Sequence, residues 1–519
     1  MSQPTAFEVK GARDRMRAEP NPVYAENILR PLFEFNCRHF FGPLIEAHRA
    51  WLTMLVERGI VARDRAASVL VALDDIERTG ADSMRPFDPA VEFFYLHMER
   101  ALVQRVAGGE AVVGNLNLGR TRPEPLARMV IRDAILGTLD HVLRLRRTLV
   151  TRAEAEAETV MPGYTHLLHA QPTTLGHYLL ALGDHLARDT RRLLSAYATA
   201  DLCTLGCGAM SGTSLSVDRE RVRELLGFAR LCENTIDSVA AADHVTETAA
   251  AIASVMTLLG RLSQDLYIWS SQEFGMIDVS DAFASPSSLM PQKKNALVLE
   301  YLRSRTARTT GALAASFGVL HNVGYMDTEE VEIEAHLPLF DAFSLADEAL
   351  PTIDALIAAM QVDRACLRHR AAWGFSSVTA LAEAIQTSRD LSYRTAHRVV
   401  ARAVLLAVEQ GRDATGIDAA LVDAASQEML GRPLHLTDAD IRKCLDPDGF
   451  IHAHAVTGGA APAEVRRMAA DRAAALEADE RDVAAHRRAI AEGQQLLRDA
   501  VARLRTSPAS PASPAQSAG

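Results

Sequence analysis

Residues 255–269 read VMTLLGRLSQDLYIW, and this stretch decides the fold class. Its apolar residues alternate at spacings of four and three: Val255, Leu259, Leu262, Leu266 and Trp269. A repeat of about 3.5 residues is typical of a long helix that packs almost parallel to its neighbours. Such helices assemble into bundles, so we expect an all-α protein, in which these five residues are core and bind nothing.

Turn signals and helix lengths divide the chain on both sides of this segment. Residues 1–118 read as a domain of short helices, and residues 119–370 carry the long periodic segments and predict the central long-helix bundle. Residues 371–505 predict another helical domain that ends in a charged, alanine-rich helix. Residues 506–519, TSPASPASPAQSAG, have nothing apolar to bury and predict a disordered tail.

Composition limits the class of function. The net charge of -11, from 55 Lys+Arg and 66 Asp+Glu, disfavours binding to nucleic acid. The start lacks the apolar core of a signal peptide, and no stretch reaches the roughly 18 apolar residues of a membrane span, so we expect a cytoplasmic protein without a membrane partner. The six cysteines are scattered and suggest neither a metal site nor a cofactor. This composition is compatible with a small-molecule substrate.

The most informative chemistry lies in SPSSLMPQKKN, residues 285–295, which precedes the predicted helix ALVLEYLRSR. Free backbone N–H groups and the positive dipole end at a helix N-terminus suit a carboxylate. The two lysines strengthen that preference. Read alone, a Ser-Ser pair in a proline-containing loop is more often only a turn.

SSLMPQKKN closely resembles the signature of the fumarase/aspartase superfamily in the form typical of argininosuccinate lyases. Further stretches are similar to family segments in the expected order: MPGYTHLLHAQPTT (161–174), Gly119–Arg122, GCGAMSGTSLSVDR (206–219) and Asn234–Asp237. The resemblance covers residues 22 to 470. It implies a fumarase/aspartase-like fold and a carbon-nitrogen lyase that eliminates fumarate reversibly from an N-substituted L-aspartate.

The resemblance also implies catalytic roles. Ser287 would be the base that removes a proton from the carbon next to a substrate carboxylate, provided that its alkoxide is stabilised. Lys293 would stabilise the negative charge that grows on that carboxylate. His166 would form a relay with Glu300 and assist protonation of the departing nitrogen.

The remaining matching residues would bind the substrate: Arg120, Thr121, Arg122, Thr165, Asn295, Tyr325, Asp327 and Glu330. A guanidinium fork in the Arg-Thr-Arg segment can hold a carboxylate bidentately. Family members gather their long helices into a homotetramer and build each site from three chains. The resemblance implies the same assembly here.

This chain departs from the family pattern where the amine partner would bind. The Gly-Arg-Ser-Arg segment is usually followed by Asn-Asp, but Pro123 follows here. Tyr325 is followed by Asp327 and Glu330 at positions where the family usually has lysine and glutamine. Ala241-Ala242 and Pro286 are smaller departures. The acidic Asp327 and Glu330 predict a cationic amine partner that lacks the α-carboxylate of argininosuccinate, and the alternative is that both side chains only face solvent.

Three functions remain open at this stage. The leading interpretation is a fumarate-releasing lyase whose nitrogen-bearing partner differs from arginine. An authentic argininosuccinate lyase with unusual substrate contacts is the first alternative. A non-catalytic structural paralogue is the second, against which the retention of Ser287, Lys293, Asn295, His166 and Glu300 argues.

Overall fold

The computed structural model describes Met16, residues 18–121 and residues 125–506. Arg122 and Pro123, and the predicted tail beyond Thr506, lie outside these residues. The all-α prediction is confirmed. The α-helices are α1 (Pro22–Tyr24), α2 (Arg30–His39), α3 (Phe41–Glu57), α4 (Arg63–Thr79), α5 (Phe94–Arg105), α6 (Glu110–Val113), α7 (Leu126–Ala155), α8 (Leu175–Ala200), α9 (Arg219–Leu225), α10 (Thr235–Ala240), α11 (Asp243–Trp269), α12 (Leu297–Leu320), α13 (His336–Ala359), α14 (Arg364–Ala372), α15 (Val378–Arg389), α16 (Tyr393–Glu409), α17 (Ala419–Leu430), α18 (Asp438–Leu445), α19 (Pro447–Ala453) and α20 (Pro462–Thr506).

Shorter elements join these helices. Ala25–Leu29 and Glu330–Glu334 are π-helical, and Ala81–Met84, Asp281–Phe283 and Ala414–Gly416 are 3₁₀ turns. The strands are β1 (Val160–Thr165), β2 (Leu168–Thr174), β3 (Leu202–Cys203), β4 (Arg230–Leu231), β5 (Ile277–Asp278), β6 (Ser285–Pro286), β7 (Lys294–Asn295) and β8 (Gln361–Val362). Each strand pairs with one partner, in the order β1-β2, β3-β4, β5-β8 and β6-β7.

The helices α7, α8, α11, α12 and α13 pack against one another as the central bundle. The five apolar residues that the sequence singled out on α11 are all buried, so their assignment to the core is confirmed. Gly260 lets α12 approach α11 closely, because a Cβ at this position would lie 2.8 Å from Thr306 Oγ1. By length and composition α11 is also apolar enough to cross a membrane, but 61% of that window is buried inside the fold.

The last helix, α20, returns to the bundle. Arg472 donates to Asp184 of α8 at 2.9 Å, and Arg146 of α7 lies 2.5 Å from Asp479. The helices α15 to α18 enclose a smaller hydrophobic cluster of their own. The domain boundaries from the sequence stay a prediction. In the structure, α20 packs against the central bundle.

Candidate active site

The Ser287 loop is closed at its base by the pairing of β6 with β7. Ser287 N donates to Lys293 O at 3.2 Å, which closes the loop one step further. Inside it, Ser287 Oγ accepts the backbone N–H groups of Leu289 at 3.3 Å and Met290 at 3.0 Å. Two donors that converge on one hydroxyl oxygen stabilise negative charge on it. The loop therefore supplies the alkoxide stabilisation that a serine base requires.

The two adjacent lysines of this loop have different environments. Lys294 Nζ forms ion pairs with Asp278 at 2.9 Å and Asp281 at 2.7 Å, and the hydrogen bond to Asp281 raises the pKa of Lys294. Lys293 is exposed and forms no ion pair with any described residue. Lys294 thus anchors the loop, and the ammonium of Lys293 remains available for a ligand.

Asn295 and Glu300 lie on the segment that leads into α12. Asn295 Nδ2 donates to Ser285 O at 3.2 Å, so the amide is fixed across the β6-β7 pair. Glu300 is in the first turn of α12, where Tyr267 of α11 donates its hydroxyl to Oε1 at 3.1 Å. The guanidinium of Arg303 packs over the Tyr267 ring, 4.3 Å from its centre.

Thr165 and His166 lie at the end of the β1-β2 hairpin. His166 and Leu167 have φ of 55° and 60°, and they form the two-residue turn between the paired residues Thr165 and Leu168. Positive φ at both positions is typical of the tight turns that suit the twist of a hairpin. These four residues are exposed, and among the described residues His166 has no hydrogen bond to Ser287 or Glu300.

Arg120 is positioned by His48 of α3. Arg120 Nη2 lies 2.6 Å from His48 Nδ1, and Arg120 Nε donates to Asn117 Oδ1 at 3.2 Å. Burial, reinforced by Arg120, holds the pKa of His48 well below its ordinary value, so Nδ1 accepts as part of a neutral ring. A neutral ring orients the guanidinium without cancelling its charge. The same loop is held by Trp51, whose Nε1 donates to Leu118 O at 3.1 Å.

The three residues of the divergent segment lie in different surroundings. Tyr325 donates its hydroxyl to Asp237 of α10, and this hydrogen bond raises the pKa of Tyr325 to about 12. Asp327 lines a cavity of about 70 Å³ together with Thr121 of the Arg-Thr-Arg segment. Glu330 is exposed on the π-helical turn and is not part of that lining.

Three buried ionisable residues of this cavity were not predicted from the sequence: Arg128, His244 and His336. They lie in the first turns of α7, α11 and α13. His244 Nε2 and His336 Nε2 are 3.2 Å apart. The only signal in the sequence is that polar residues occupy positions at the start of otherwise apolar helices.

Comparisons with known proteins give matches over most of the chain. Residues 34–311 match a family model described as lyase, and residues 375–452 match one described as argininosuccinate lyase C-terminal. Argininosuccinate lyase 1 of Shouchella clausii is 31% identical over 94% of this chain and 98% of its own length. Argininosuccinate lyase of Methanosarcina mazei is 33% identical over 86% of this chain and 90% of its own length.

Solved structures extend the comparison to the fold. An EDDS lyase variant with bound fumarate superimposes with a TM-score of 0.84 at 31% identity, covering 94% of this chain and 97% of that one. A bundle of long helices that carries the SSLMPQKKN loop defines a lyase of the fumarase/aspartase superfamily. Within it, the chain belongs to the argininosuccinate lyase family.

Proposed function

We propose that this carbon-nitrogen lyase releases fumarate from an N-substituted L-aspartate whose amine is cationic and differs from arginine. The observation that carries the reaction chemistry is the pair of backbone N–H groups on Ser287 Oγ, at 3.0 and 3.3 Å. A serine without such donors is too weak a base to take a proton from carbon. In this proposal Ser287 acts as the alkoxide.

The elimination proceeds with a simple balance of protons. Ser287 takes one proton from the aspartate carbon next to the distal carboxylate, and the electron pair moves onto that carboxylate. Lys293 and Asn295 bind its oxygens and stabilise the added charge. The pair then forms the carbon-carbon double bond of fumarate while the carbon-nitrogen bond breaks. The nitrogen leaves as a protonated amine, and the reverse sequence adds an amine to fumarate.

His166 delivers the proton to the leaving nitrogen in this scheme, with Glu300 as its partner. His166 is exposed and has no hydrogen bond to Ser287 or Glu300 among the described residues, which supports a site assembled from several chains. Exposed apolar residues next to both segments support the same conclusion, among them Leu168, which is 71% exposed, and Leu289, which is 86% exposed. We infer a homotetramer with shared active sites, in the cytoplasm.

Mixing of inactive variants tests the shared site. A His166→Asn chain and a Ser287→Ala chain should each be inactive alone. If each site takes His166 and Ser287 from different chains, random equimolar mixing restores both residues in about one quarter of the sites. Light scattering should show a tetramer for all three samples. Mixtures that stay inactive, or an active monomer, would contradict the shared site.

The proposal of a cationic amine partner is based on the acidic residues that line the cavity beside Thr121. Asp327 and Glu332 line it, so a protonated amine near its mouth meets carboxylates rather than a lysine. An aspartate and a ligand cation attract each other by about a kcal/mol at a partly exposed site. The solved EDDS lyase structures, at 30% and 31% identity, also favour an amine other than arginine.

Authentic argininosuccinate lyase activity is the second candidate, because the curated relatives of 31% to 33% identity carry that name. The deciding experiment incubates the pure protein with fumarate and a panel of amines that includes arginine, diamines and amino acids. Products are identified by mass spectrometry, and fumarate is followed by its absorbance. A preferred amine adduct other than argininosuccinate supports the proposal. Preference for arginine, together with rescue of an arginine auxotroph, supports the second candidate, and no reaction with any amine supports a structural paralogue.

A further inference from the structure

The cavity of about 70 Å³ lies where three long helices begin. Arg128 is in the first turn of α7, His244 in that of α11, and His336 starts α13, which continues the π-helical turn Glu330–Glu334. No side chain caps the N-terminus of α7, which follows Pro125, whereas at the start of α11 the carboxylate of Asp243 accepts the backbone N–H of His244 at 2.9 Å. The N-terminal end of a helix carries partial positive charge and N–H groups that lack helical partners. The inner wall of the cavity is therefore suited to an anion.

Arg128 gives this wall a full positive charge. The residue is only 5% exposed, and its Nη1 donates to Thr199 O at 2.7 Å. No carboxylate among the described residues forms an ion pair with it, although Asp243 and Asp237 lie near enough to influence it. Burial lowers the pKa of Arg128, but a guanidinium stays protonated at neutral pH. A buried cation without a paired carboxylate is energetically costly. An anionic ligand that enters the cavity would therefore stabilise Arg128.

The two histidines contribute polar but uncharged groups. Burial lowers the pKa of both rings, so both are neutral at physiological pH. In a neutral pair joined through Nε2 atoms, one ring donates and the other accepts, which leaves one Nδ1 as an acceptor and the other as a donor. Neither Nδ1 has a hydrogen-bond partner within the described part of the chain. The pair therefore does not add a second positive charge beside Arg128.

We propose that this cavity binds a carboxylate of the substrate and that Arg128 is its specificity-determining residue. Thr121 lines the same cavity and belongs to the segment that resembles a carboxylate anchor. The carboxylate belongs either to the fumarate half or to the amine partner, with the amine nitrogen near Asp327 in the second case. The inference rests on the proposed function for the identity of the ligand.

The experiment replaces Arg128 with methionine in the full-length assembled protein. Arg128→Lys keeps the charge but loses the planar fork, and we expect an intermediate effect. Arg144→Met makes the same change at an exposed position of α7 and is the matched control. Gel filtration and thermal unfolding verify that each variant is folded. The probes are fumarate and two pairs of amines that differ by one carboxylate: glycine with methylamine, and β-alanine with ethylamine.

Calorimetry measures binding of each probe, and the addition reaction gives a separate KM for fumarate and for each amine. Loss of a charge-assisted contact should weaken binding roughly 10- to 100-fold. Weaker fumarate binding in Arg128→Met assigns the carboxylate to the fumarate half. Weakening confined to glycine and β-alanine assigns it to the amine partner and refutes a partner without a carboxylate. Unchanged binding and KM for every probe overturn the proposal. Calorimetry needs no turnover, so this result is independent of whether any amine adds to fumarate.

Discussion

Acid should destabilise the protein through the buried histidine pair. The size of the loss in unfolding free energy can be worked out from the pKa of His336. Burial, reinforced by Arg128, lowers the pKa of His336 from 6.5 to about 3. The unfolded chain therefore binds a proton at pH 5 that the native protein does not bind. The stability from this ring is complete above about pH 6.5 and is lost as the pH falls towards 3. Since one pKa unit corresponds to about 1.4 kcal/mol, lowering the pH from 7 to 5 should cost about 2 kcal/mol.

His336→Gln removes the titrating ring and keeps a polar side chain. We expect this variant to lose about 2 kcal/mol less stability than the wild type between pH 7 and pH 5. The assay is urea unfolding followed by circular dichroism at one protein concentration, because assembly makes the midpoint concentration-dependent. Ser238→Ala is the control, since Ser238 lines the same cavity and does not titrate. If the wild type and His336→Gln lose equal stability between pH 7 and pH 5, His336 binds its proton in the native protein as readily as in the unfolded chain, and the prediction is wrong.

Further predictions concern the loop and the cavity mouth. Ser287→Ala should lower the initial rate of fumarate formation at least ~100-fold with the fold intact, and near-normal turnover would remove Ser287 from the mechanism. Lys293→Met should lower turnover much more than Lys294→Met, because Lys294 is already ion-paired with Asp278 and Asp281. Equal effects of the two substitutions in a steady-state assay would contradict this assignment. Asp327→Lys combined with Glu330→Gln should raise argininosuccinate turnover relative to amine adducts. A wild type that already prefers argininosuccinate refutes the cationic partner.

The sequence predicted the fold because one strong periodic pattern determines it. The alternating apolar residues of α11 can be buried together only in a helix, and all of them are buried. The SSLMPQKKN loop was recognisable for a different reason, since a contiguous motif keeps its spacing whatever surrounds it. Arg128, His244 and His336 could not be predicted as one cluster. They are distant in sequence, and each becomes informative only when the starts of α7, α11 and α13 meet.

In the proposed site, the catalytic loop is a contiguous segment, whereas the cavity that would recognise the substrate is built from residues distant in sequence. The Ser287 loop is stabilised by its own backbone and by Lys294, so its geometry depends little on which amine binds elsewhere. The cavity depends on side chains from separate elements, and each can change without moving the loop. Asp327 brings negative charge to a cavity whose inner wall carries Arg128. An N-substituted aspartate with a protonated nitrogen carries a cation and a carboxylate a few bonds apart, and this arrangement complements both charges.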